Sequence, residues 1–135
     1  MQLADATATT AGILLLTVAF IEYGGTFMLR VVRGGEFTGF QRSFFRAGHA
    51  HAGVLVLLSL VALLYADGLG LDNLLGWTTR SAIPLAAILM PAGFFFSAIG
   101  RGVERPNRFI VLIYAGAVSL GVGVVTLGIQ LIGLS

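Results

Sequence analysis

Cysteine and lysine are absent from this chain, and only two histidines and three prolines occur among its 135 residues. Without cysteine there is no disulfide, no Cys-ligated zinc and no iron–sulfur cluster, so any metal would be held by His, Glu, Asp or backbone oxygen. Charge is scarce as well, at 10% of residues against 57% hydrophobic, and mean hydropathy is +0.96. That balance excludes a soluble globular domain, and the length leaves room for a single domain. The glycines are scattered rather than gathered into a phosphate loop, so dinucleotide binding is not indicated. No nucleophile constellation or pair of catalytic carboxylates is present, and nothing supports nucleic-acid binding.

What is present is apolar sequence in lengths that cross a bilayer. Four runs, approximately Thr9 to Leu29, Phe44 to Ala66, Ser81 to Gly100 and Phe109 to Ile132, each approach the roughly 20 residues that a membrane helix needs. Thr38 and Gln41 have capping-box spacing, which starts the second helix near Gly39. The expected fold is all-α: one integral-membrane four-helix bundle over residues 1–135, with helices at about 9–29, 39–66, 81–100 and 109–132. A cleaved signal peptide is not expected, because Met1 to Thr10 carries no basic residue and Glu22 interrupts the first span. All eight basic residues are arginine. Arg30, Arg33, Arg42 and Arg46 fall around the first connection and Arg101, Arg105 and Arg108 in the third, while the second has Arg80 beside Asp67 and Asp72. The positive-inside rule then places both termini outside a bacterial-type inner membrane. Tyr65 and Trp77 would sit at the outer interface, and Phe40, Phe44, Phe45 and Phe109 near the inner one.

Short connections make consecutive helices antiparallel neighbours. Small residues recur as Gly93, Ser97 and Gly100 on the third helix and as Ala117, Gly121 and Gly128 on the fourth. Such stripes let helix backbones approach within a chain or between chains. The expected partners are therefore the lipid bilayer and either other membrane subunits or further copies of this chain. Pro91 marks a kink that neighbouring helices would stabilise.

Ionisable groups inside a membrane point to function, because lipid cannot solvate them. Glu22 lies about 12 Å below the inner boundary counted from Arg30, and His49 and His51 lie at about 10 and 13 Å counted from Arg42. The shared level predicts a polar cluster of Glu22, Arg46, His49 and His51, joined by Tyr114 and Ser97 from the other side. Side chains two residues apart on a helix diverge by about 200°, so the histidines are not a chelating pair. His49 shares a face with Arg42, Arg46 and Gly53, whereas His51 shares one with Ala47, Gly48, Val54 and Leu55. Four uses of the cluster are open: a Glu–His pair that holds the bundle in register; a haem or metal site on His49 or His51; an anion or lipid headgroup on Arg42 and Arg46; and proton transfer through Glu22 and a histidine.

The stretch from Arg46 to Leu55, with its His49-Ala50-His51 core, resembles the His-x-His helix of small bacterial membrane proteins distantly similar to the haem-bearing subunit of haem-copper oxidases. That resemblance implies haem as a cofactor, with His49 or His51 as axial ligand. Since no histidine lies outside the second helix, a bis-histidine haem would take its other ligand from another chain. Size, span number and Arg46-Ala47-Gly48-His49 also resemble the MAPEG family, whose members are four-span glutathione-dependent membrane enzymes. This second resemblance implies glutathione on the arginine stripe.

The sequence as a whole reads as a small inner-membrane subunit or accessory of a larger assembly or homo-oligomer. Purified in mild detergent, the protein is expected to be colourless and to copurify with other membrane chains, as an absorbance spectrum and mass spectrometry will reveal. A Soret band lost in His49→Ala or His51→Ala would establish the haem alternative instead.

Overall fold

The computed structural model describes residues 3–71 and 73–133. Four helices follow one another: α1, Asp5–Arg33; α2, Gly39–Gly68; α3, Leu74–Ser97; and α4, Val111–Ile132, entered through a 3-10 turn at Arg108–Ile110. All four are long and apolar enough to cross a membrane. The chain is an all-α four-helix bundle of a multi-pass membrane protein, and among the described residues there is no strand.

Two helices run past the ends expected from hydropathy. α1 gains about a turn at each end, and α3 begins at Leu74 rather than Ser81 because Asn73 caps it, its side chain accepting from Gly76 N–H. Arg80, expected in a loop, therefore lies within α3. Gly100, expected on that helix, instead lies beyond its end with φ +131. The Thr38/Gln41 capping box forms as expected and starts α2 at Gly39.

Every helix buries one stripe in steps of three and four. On α1 the stripe runs Thr7, Ala11, Leu14, Val18, Ile21, Met28; on α2, Gln41, Phe45, Gly48, Leu55, Ser59, Ala62, Ala66; on α3, Gly76, Thr79, Ile83, Ala86, Met90, Gly93, Ser97. On α4 it is Gly116, Leu120, Gly123 and Leu127. A seven-residue repeat of this kind is the signature of left-handed helix packing. Packing follows chain order, α1 on α2, α2 on α3 and α3 on α4, with a narrow α2–α4 seam and no comparable α1–α4 seam to close the ring. α1 consequently buries the smallest share of its apolar length.

The α3–α4 contact is the closest. A Cβ built on Gly93 would lie 2.7 Å from the backbone nitrogen of Ile113, one on Gly116 would lie 3.0 Å from that of Met90, and one on Gly123 would lie 3.2 Å from that of Ile83. With no hydrophobic drive between helices in lipid, such approaches supply the van der Waals contact that holds them. The α4 stripe expected from sequence, Ala117, Gly121 and Gly128, is not the one used within the chain. Ala117 is exposed, and a Cβ at Gly121 or Gly128 would meet nothing within 4 Å.

Polar clamps tie both ends. At one, the Asp67 carboxylate accepts from Ala4 N–H at 2.8 Å, Thr7 Oγ1 at 2.7 Å, and Arg80 Nη2 at 2.8 Å and Nε at 3.2 Å. Arg80 also donates to the Ala66 and Leu71 carbonyls at the end of α2. The pair is largely enclosed, the side chains being 4% exposed for Asp67 and 17% for Arg80. At the other end, buried Gln41 donates through Nε2 to the Ala98 and Gly100 carbonyls at 3.0 and 2.9 Å, and Thr38 Oγ1 donates to the Val103 carbonyl. Asn107 N–H and Nδ2 satisfy the Ser97 and Phe96 carbonyls, so the orphan acceptors that any helix C-terminus leaves are met without water.

Two substitutions separate the seam from the open stripe. Gly93→Ala drives a methyl into backbone that cannot yield and should cost about 1–3 kcal/mol, whereas Gly121→Ala should stay within about 0.5 kcal/mol; unfolding titrations in detergent would compare them. Asp67→Ala strands Arg80 and should cost about 3 kcal/mol, with Asp67→Asn milder because its amide oxygen still accepts; thermal midpoints and proteolysis of α1 would report both.

Candidate functional site

The two histidines sit on opposite flanks of the α2 seam. His49, one position after Gly48, turns toward α1, where Gly24 and Gly25 form a notch. Its Nδ1 lies 3.8 Å from a Cβ built on Gly24 and its Nε2 3.6 Å from one built on Gly25, so the ring lies directly against the two glycines. His49 has no hydrogen-bond partner among the described residues.

His51 turns toward α3. Its ring lies 4.8 Å from that of Phe94, at the inner end of a run of rings in which Phe40 meets Phe44 and Phe44 meets Phe94. Its Nδ1 lies 2.7 Å from the Ala47 carbonyl. A carbonyl can only accept, so Nδ1 carries the proton and a neutral ring keeps its lone pair on Nε2. This is the arrangement that suits an imidazole to a metal. Among the described residues no three metal-ligating side chains gather, so any metal on His51 would be completed from outside the chain.

α2 and α3 come close beside His51 because Gly48 has no side chain. A Cβ there would lie 3.0 Å from Phe94 Cβ and 3.1 Å from Phe95 Cε2. Phe45 is buried against Val31, Met28 and Ala98, stacked on Phe95 at 5.8 Å.

Other members of the expected cluster lie elsewhere. Glu22 is exposed on α1, one position past the partly buried Ile21, and makes no hydrogen bond or ion pair among the described residues. It shares a level with the histidines without touching them. Tyr114 is 63% exposed on α4, and Ser97 is buried with its Oγ near the Phe94 carbonyl. Arg42 and Arg46 line a surface depression of about 590 Å³ with Gly39, Ser43, Ala47 and Ala50. His49 is not on that wall, contrary to the stripe expected from its own helix, because the ring turns away toward the glycine notch. Arg42 donates through Nη1 to the Phe37 carbonyl at 2.6 Å, whereas Arg46 is exposed.

A groove of about 330 Å³ opens beside His49, walled by α1, α2 and α3. Phe20, Ile21, Ala52, Ile88 and Phe95 are among its lining residues, and Thr17 and His49 are its only polar side chains. Thr17 is already engaged, donating to the Leu14 carbonyl at 2.6 Å. Sequence reading missed this groove, although a paired glycine on one helix at the level of a lone histidine on its neighbour was the available signal. No protein-family model matches the chain, nor does any curated protein or solved structure.

Proposed function

We propose that this protein is a subunit of a membrane assembly, formed with other membrane chains or with further copies of itself, in a bacterial-type inner membrane with both termini outside. The observation that carries this reading is Glu22. Its side chain is exposed on α1, on the flank of the seam away from Phe20, at a depth where hydrocarbon surrounds a lone chain. An acidic group there costs on the order of 2.5–3.5 kcal/mol, and such groups pair or line water. Within this chain Glu22 makes no hydrogen bond or ion pair among the described residues, so a donor from another chain is the natural complement. The unclosed side between α1 and α4 and the open Ala117, Gly121 and Gly128 stripe add surfaces on which a second helix can lie closely.

In this role the Asp67 and Gln41 clamps keep the single chain rigid, while Glu22 and the small-residue stripe select what it meets. The arginines around the first and third connections hold its orientation.

Native mass spectrometry from mild detergent and lipid nanodiscs tests the proposal. The wild type should appear in assemblies larger than the 14.1 kDa chain. Glu22→Leu should weaken association about tenfold, the scale of a strong interhelical hydrogen bond in a membrane, without changing helix content. A wild type that is monomeric in lipid at every concentration, and indistinguishable from Glu22→Leu, would overturn it.

A further inference from the structure

We infer that the groove between α1, α2 and α3 is a lateral binding site for a membrane-dissolved quinone, whose ring carbonyl accepts a hydrogen bond from His49. The site is independent of the Glu22 surface: His49 faces α2's neighbour through the Gly24–Gly25 notch, whereas Glu22 lies on the outside of α1.

Three observations select the ligand. The groove reaches the lipid face, since Phe20 and Ile88 line it and are 77% and 65% exposed, so an occupant can enter from the bilayer without crossing water. Its walls carry no Asp, Glu or Arg, and an anionic head buried there would lack a counter-charge; fatty-acid carboxylates and phosphates are therefore poor occupants. A bare acyl chain would fill the volume but leave the imidazole N–H unpaired in hydrocarbon, a cost that intramembrane polar groups avoid by finding a partner. A neutral, flat ring bearing a carbonyl meets all three conditions. Phe20 and Phe95 offer it aromatic surfaces.

The test uses the full-length chain in lipid nanodiscs, photolabelled with a short-tailed azidoquinone, with decylubiquinone and oleate as competitors and labelled peptides located by mass spectrometry. Label should concentrate on the segments of α1 and α2 that contain Phe20 and His49 and be displaced by decylubiquinone but not by oleate. His49→Phe, which preserves ring volume, should raise the half-displacing concentration about tenfold, the worth of one buried hydrogen bond. Ala52→Leu fills the groove while keeping the imidazole and should abolish specific labelling; it also decides the matter if His49→Phe does not fold. Glu22→Leu should label as the wild type does, which separates this site from the assembly surface. Label spread evenly over α4, equal displacement by oleate, or unchanged displacement in His49→Phe would each overturn the inference.

Discussion

The Asp67 carboxylate is what the rest of the arrangement hangs from. The side chain is only 4% exposed, and a buried charge must be met by protein. Asp67 is met by the start of α1, by its own helix end through Arg80, and by α3, on which Arg80 sits. One side chain thereby fixes the relative height of three helices. α1 depends on it most, because its buried stripe is a single row and it has no seam with α4. Gln41, with Thr38, performs the corresponding task at the far end by joining the start of α2 to the connection between α3 and α4.

Between the clamps the helices differ in how closely they touch. α3 and α4 meet backbone to backbone at Gly93, Gly116 and Gly123, which leaves no room for a ligand between them. α1 meets α2 at its middle through a histidine lying on two glycines, a contact that cannot interdigitate as larger side chains do. Space is left beside it, and the groove is the result. The same choice of small residues closes one seam and opens another, because in the first case backbone fills the notch and in the second a single ring does.

Much of this was legible beforehand. Span number, the capping box and the divergence of the two histidines follow from hydropathy, side-chain chemistry and helical geometry. The partner of each histidine did not follow, since Arg42 and Arg46 precede His49 on its own helix and nothing local reveals the glycines opposite. The stripe that α4 uses was hidden for a related reason. That helix carries two small-residue rows about 100° apart, and the choice between them rests on Met90 and Ile83, which are on α3. The Asp67–Arg80 pair escaped because residues 13 apart across a turn make no helical pattern, so both charges read as loop decoration.

The order in which the clamp's parts leave the ribosome bears on how the protein is made. Of the four helices α1 is made before the others, carrying Glu22 and only a narrow adhesive row. Asp67 emerges at the end of α2, and Arg80, which completes its shell, emerges after the following turn. Until Asp67 is made, the Ala4 end of α1 lacks the carboxylate that anchors it. Assembly of this fold is therefore ordered: the first helix gains its fixed height only when the second hairpin has supplied the carboxylate and the arginine that holds it.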